Sequence, residues 1–186
     1  MGSPFTAADF RDLGEIALAT WEAGVDRDWS VMAGTLEWSV RRTAEHTVDA
    51  VLAPAFFLAS RRRHAYPMLE DFETSSTAMQ TDLVDNLRAT INIVWGVLVT
   101  TPPDVEAIIR RHPPEVAPAA DFAARCALEL ILHTADIAAG LGLSLAPPDG
   151  HCRRLLEHTA RWPAERITPT DDAWSDLLAS RGRPRG

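Results

Sequence analysis

Cysteine is scarce in this 186-residue chain, and its two thiols, Cys126 and Cys152, cannot build a disulfide framework. A charged, apolar, small-residue leader is also missing from its start, so the expectation is a cytoplasmic protein. The longest apolar runs, around Ile91 to Val99 and Leu128 to Leu132, fall well short of the roughly 20 residues that a membrane span requires. Basic clusters are short and the formal net charge is −8, whereas a nucleic-acid surface needs Lys and Arg massed on one face. Neither nucleic acid nor membrane is expected as a partner. Arg61, Arg62 and Arg63 stand where a helix ends and suit its C-terminal dipole. Arg181 to Arg185 read as a solvated tail.

Two-residue alternation flanked by turns is missing as well, while apolar residues recur at helical spacing in four long stretches. The fold class is therefore all-α, and the length points to one domain over residues 1–186. The first helix opens at Thr6 with Asp9 three residues on, a variant of the capping box, and ends near Gly24. The second opens at Trp38-Ser39. Its Val40, Ala44, Val48, Val51 and Ala55 form one apolar face, Ala50, Ala53 and Phe57 form another, and Pro54 kinks it. The third spans Ser76 to Val99, with Met79, Leu83, Leu87, Ile91, Val94 and Leu98 on its inner stripe. A proline-rich connection carries a short helix from Asp104 to Arg111. The fourth long helix runs from about Ala119 to Leu141, closed by Gly140 and Gly142. Shorter helices follow from about Gly150 to Arg161 and from Asp171 to Ser180. Four long helices make a bundle, and bundles place cofactor sites on the facing sides of their helices.

The fourth helix is apolar nearly all round, so it belongs at the centre. At 100° per residue, Arg125, Cys126, Glu129, His133 and Asp136 share an arc about 80° wide. Such an arc is either the solvent face of an amphipathic helix or a site. A solvent face is usually wider and carries Lys, Gln or several Glu rather than His and Cys. Glu129 and His133 lie one turn apart, and a carboxylate with an imidazole suits zinc or a neighbouring first-row divalent ion. The best third ligand is His46, on the face of the second helix shared with Ala50, Ala53 and Phe57. Alone, His46 would be read as a core histidine bonded to a carbonyl; with Glu129 and His133, a metal explains it better.

Both histidines begin the pattern His-Thr-x-Asp, at His46 to Asp49 and His133 to Asp136. Asp49 and Asp136 are either ordinary helix aspartates or groups that orient an imidazole, bind a metal-bound water or meet substrate. Cys126 is either a fourth ligand or, on balance, a buried structural thiol. Three protein ligands with one open position are expected of a catalytic rather than a structural zinc. A Gly-rich phosphate loop, a nucleophile elbow, paired CxxC motifs and HExxH are all missing. His64, His112, His151 and His158 are expected at the surface. Trp38, Phe57, Trp95 and Trp21 are candidates to line a pocket, or plain core.

At these residues the chain resembles the DinB-like metal-binding four-helix bundles, and among them the N-terminal domain of the actinobacterial mycothiol-dependent maleylpyruvate isomerases. Trp38-Ser39-Val40-Arg41 followed by Ala44-Glu45-His46 is similar to the family's Trp-Thr-Val-Arg stretch with its metal-binding histidine. Glu129 to His133, with Asp136 and Gly142, looks like its Glu-x-x-x-His-x-x-Asp helix and closing Gly. Leu177-Leu178 with Gly182-Arg183-Pro184 resembles a common terminal element.

The resemblance implies a zinc site at His46, Glu129 and His133, in a DinB-like bundle with additional short C-terminal helices. It also implies chemistry on a low-molecular-weight thiol such as mycothiol as cosubstrate, of the thiol-transferase or isomerase type. On this reading Asp49 and Asp136 are the catalytic candidates, and Trp38 and Arg125 line the cofactor site. Leu36-Glu37 replaces the family's usual Pro-Gly, Ala135 stands where an aromatic is frequent, and no second domain follows, all of which point away from maleylpyruvate itself. Thiol-free hydrolysis, cyclisation or rearrangement, and a non-catalytic metal- or ligand-binding bundle, are the alternatives. The expected partner is a small molecule, with the chain a monomer or homodimer.

Overall fold

The structure is a computed structural model, and it describes residues 5–67, 73–110 and 114–185. Six helices carry the fold: α1 (Ala7–Ala23), α2 (Val40–Ser60), α3 (Gln80–Thr100), α4 (Ala119–Leu141), α5 (Asp149–His158) and α6 (Ala173–Ser180). Local chemistry sets most of their ends. Thr6 accepts from the Asp9 amide, while Asp9 takes the Thr6 N–H at 2.9 Å, closing a reciprocal capping box on α1. The Ser39 side chain accepts from the Arg42 amide at the start of α2. Gly142, at φ 64°, closes α4 in the left-handed conformation that a side chain would disfavour.

Packing follows the apolar stripes. The α2 face of Val40, Ala44, Val48, Val51 and Ala55 is buried, and so is the α3 stripe from Leu83 to Leu98. Met79, expected on that stripe, is instead exposed, because α3 begins at Gln80 and Met79 occupies its cap position. Helix α4 is the hub. It packs on α1 and α2 most extensively and also touches α3 and α5, which is why its circumference is almost wholly apolar. Helices α5 and α6 pack on each other.

The short helix expected from Asp104 to Arg111 is not formed over its described residues. Arg111 lies outside them, and Glu106–Arg110 is instead a strand, β1, paired antiparallel with β2 (Glu115–Pro118). The hairpin lies against α2 and α4, and the Ile108 amide donates to the Arg62 carbonyl at 2.7 Å. A register irregularity between Ile108 and Arg110 lets three consecutive residues, Ala107, Ile108 and Ile109, be buried together. That run lacks the alternation by which a strand is recognised. Among the described residues, no helix is long and apolar enough to cross a membrane.

Candidate metal centre

Helix α2 contributes His46 and helix α4 contributes Glu129 and His133, and each offers a ligand atom within 4.8 Å of the others. The two helices form an extensive contact of the bundle, so the three donors sit on a rigid frame rather than on loops. The His46 and His133 rings meet edge-on with centroids 5.1 Å apart, and His133 Nε2 lies 3.6 Å from Glu129 Oε2. Two imidazoles and a carboxylate form a mixed nitrogen and oxygen set suited to a divalent ion of the zinc type.

The electrostatics fit the same use. Burial, reinforced by the charge of His133, pulls the pKa of His46 below its ordinary value and favours the neutral ring that a metal needs. Burial alone would raise the pKa of Glu129. The hydrogen bond to His133 and the charges of His133, Arg125 and His46 outweigh it and hold the carboxylate ionised. Burial likewise works against protonated His133, but its bonds to Asp136 and Glu129 prevail and leave its pKa raised. A metal ion held by His46, Glu129 and His133 would compete with the proton on His133.

Asp136 meets His133 Nδ1 at 3.2 Å, which leaves Nε2 turned toward Glu129. On its other side Asp136 accepts from Arg183 Nε and Nη2, the latter at 2.7 Å. This carboxylate is thus placed between the His133 imidazole and the Arg183 guanidinium. Asp49 lies one turn after His46, half-buried, and its charge acts on that imidazole. Trp38 packs edge-on against His46 with centroids 5.0 Å apart, and Arg42 lies over the Trp38 ring.

The remaining candidates are dispersed. Cys126 is buried, its thiol donates to the Val51 carbonyl at 3.4 Å, and burial pushes its pKa up to about 12, as befits a structural thiol. Trp21 is core and donates to the Thr134 hydroxyl; Phe57 stacks on Tyr66; Trp95 is exposed beneath the Arg11 guanidinium. His64 is exposed and His112 lies outside the described residues. His158 is not a surface residue: it is paired with Asp121 at 2.8 Å, and His151 bonds Asp12 at 3.0 Å. Nor is the arginine tail free in solvent. Arg181 holds Thr159 and Pro163, Arg183 holds Asp136 and Arg185 pairs with Asp176, each satisfying an oxygen that the fold has partly desolvated.

Sequence reasoning passed over what lies along the outer side of α4. A cleft of about 470 Å³ exposes Glu129 and His133 beneath the two segments that carry Pro163 and Arg181. An adjoining cavity of about 250 Å³ runs from Glu129 to Arg125 and Trp162. The α4 side of their walls, Arg125 included, follows from helix spacing, but the opposite walls come from the hairpin and from late segments whose sequence carries no spacing relation to the ligands.

The backbone is similar to that in a crystal structure of a histidine-to-alanine mutant of the mycothiol-dependent maleylpyruvate isomerase. The TM-score is 0.55 at 12% identity, over 93% of this chain and 72% of that one. The fold is thus an all-α, DinB-like bundle with extra C-terminal helices, and it carries a His-His-Glu cluster capable of coordinating a divalent metal. No protein-family model and no curated protein matches the chain.

Proposed function

We propose that this chain is a zinc-dependent enzyme of the thiol-transferase or isomerase type, acting on a small electrophilic molecule with a low-molecular-weight thiol such as mycothiol. The observation that carries the reading is the convergence of His46, Glu129 and His133 from two packed helices, beside a cleft large enough for a small ligand. The thiol is inferred from the sequence resemblance and from the name of the isomerase that shares the fold.

A zinc ion held by His46, Glu129 and His133 would supply electrophilic activation of a substrate oxygen and would make a bound thiol more acidic at neutral pH. The protein's part is to aim and to exclude. Asp136 fixes the His133 ring and is a positioning residue, since its oxygens are spent on His133 and Arg183. Asp49, on the turn after His46, is the proposed proton acceptor. Trp38 walls the His46 side, and Arg125 stands on the Glu129 side of the cofactor site.

Elemental analysis of the purified wild type beside His46→Ala, Glu129→Ala and His133→Ala tests the site. About one zinc or similar divalent ion per chain is expected, and each substitution should remove it from a bundle that stays helical. Full metal content in all three variants would refute the assignment. Thiol chemistry is tested next, by following consumption of mycothiol with electrophilic substrates; turnover that persists without any thiol would overturn that part alone.

A further inference from the structure

A further cavity, of about 260 Å³, is lined by Asp136 but by none of the three candidate metal ligands. Small groups make its floor. Ala135 and Ala139 of α4 lie there beside Gly34, where an added Cβ would sit 3.5 Å from Asp136 Cα and 3.6 Å from Ala139 Cβ. Leu143 and Leu145, just beyond α4, and Trp174 and Leu178 of α6 make apolar walls. Arg183 lines both this cavity and the cleft that exposes Glu129 and His133, so the two spaces meet across one side chain.

Charge counting decides what the space can hold. Each ionic group on its wall is already matched. Asp136 is bound by His133 and by Arg183, and Arg183 gives its Nη1 to the Arg181 carbonyl at 3.2 Å. Arg185 pairs with Asp176 at 3.0 Å and donates to the Thr168 carbonyl at 2.9 Å. An anion or cation entering here would lose hydration and find no unmatched countercharge in return. An uncharged apolar molecule loses nothing of that kind and gains the burial of its surface. Size points the same way: an apolar cavity of about 150 Å³ accommodates benzene, so about 260 Å³ has room for two fused rings. The indole of Trp174 offers such rings an aromatic neighbour.

We infer that this cavity is a binding site for a small uncharged aromatic molecule of about two fused rings, seated on Ala135 and Ala139 against Trp174 and Leu178. It is separate from the proposed metal chemistry. Asp136 and Arg183 stand on its wall where the metal ligands do not, so the occupant is not the molecule that reacts at the metal. The binding needs no metal ion and stands whether or not the metal-enzyme reading holds.

Isothermal titration of the full chain with β-naphthol, the anion β-naphthoate and the cation N-methylquinolinium tests the site. β-Naphthol should bind wild type and His46→Ala alike, with a Kd below about 1 mM, and both ions should bind at least tenfold more weakly. Ala139→Leu fills the cavity from an exposed position of α4 and should weaken β-naphthol at least tenfold. Should that variant fail to fold, Ala135→Leu, which fills the same space from one turn earlier, decides at an unchanged melting temperature. No binding of β-naphthol, equal binding of either ion, or binding that survives the filling of the cavity would each overturn the proposal. Binding lost in His46→Ala would place the naphthol oxygen on the metal and overturn it too. Metal analysis of the same samples separates a failed metal reading from a failed apolar site.

Discussion

Arg183 donates through Nη2 to Asp136 at 2.7 Å, and the same carboxylate reaches His133 Nδ1 at 3.2 Å, so the end of the chain is tied to a candidate metal ligand through one aspartate. Arg183 and Asp136 expose 16% and 5% of their side chains, which makes this a largely desolvated pair. Removing one partner of such a pair costs about 3 kcal/mol because the other charge is left buried. Arg183→Ala should therefore lower stability by that order and weaken metal affinity by about tenfold, the lower end for outer-shell partners. Chelator competition read beside urea denaturation checks this, with Arg183→Lys expected to recover part of the affinity. Unchanged affinity in Arg183→Ala would mean that Asp136 holds His133 without help from Arg183.

The thiol of Cys126 is one turn from Glu129 in sequence but turned away from it in function. It is buried against the Val51 carbonyl, and its pKa is raised to about 12 by burial. Cys126→Ala should keep full metal content, and iodoacetamide at pH 8 should leave Cys126 unmodified in the native protein while labelling it in urea. Loss of the metal in Cys126→Ala would make the thiol a fourth ligand.

Much of this arrangement was legible in the sequence because the decisive relations are local. Glu129 and His133 share a helix face by their spacing, Thr6 and Asp9 close a box within one turn, and α4 declares its central place by being apolar all round. His46 needed an argument from chemistry, since by itself a histidine on a small apolar face reads as a core residue bonded to a carbonyl. The hairpin was hidden because a five-residue strand with three buried residues in a row has no period to read. The cavity beside Glu129 was hidden for another reason: Arg110, Arg125, Trp162 and Arg181 come from separate segments, and nothing in their spacing says that they meet. Gly182, at φ 72°, supports the path of the tail that delivers Arg183.

Two glycines inside helices should answer oppositely to the same change. At Gly140 an added Cβ would press on the Met32 carbonyl, lie 2.9 Å from Val40 Cγ2 and 3.1 Å from the Ala33 Cα, so α4 approaches the α1–α2 connection and the start of α2 as only glycine allows. At Gly96, on α3, nothing lies within 4 Å. Gly140→Ala should destabilise by about 2 kcal/mol through overpacking, and Gly96→Ala should stabilise by about 0.5–1 kcal/mol through helix propensity. Urea unfolding of the pair checks both. The close approach at Gly140 is disproved if its alanine variant is as stable as the wild type.

Strong acid should weaken the tie between α1 and α5. Asp9 is buried at the head of α1, which by itself would raise its pKa. The hydrogen bonds from Arg154 and Thr6 and the charge of Arg154 more than offset this and leave it lowered. A carboxyl whose pKa is lower folded than unfolded binds its proton more readily in the unfolded chain. Its stabilising contribution is therefore complete above the unfolded pKa, about 3.9, and fades as the pH falls from there through the lower folded value. Asp9→Asn should cost about 2 kcal/mol at pH 7, where it loses charge-assisted bonds, and progressively less as the pH falls below about 4. Denaturation of wild type and variant across that range is the check. A constant gap at every pH would show that Asp9 acts as a cap by shape and neutral hydrogen bonding, with no part played by its charge against Arg154.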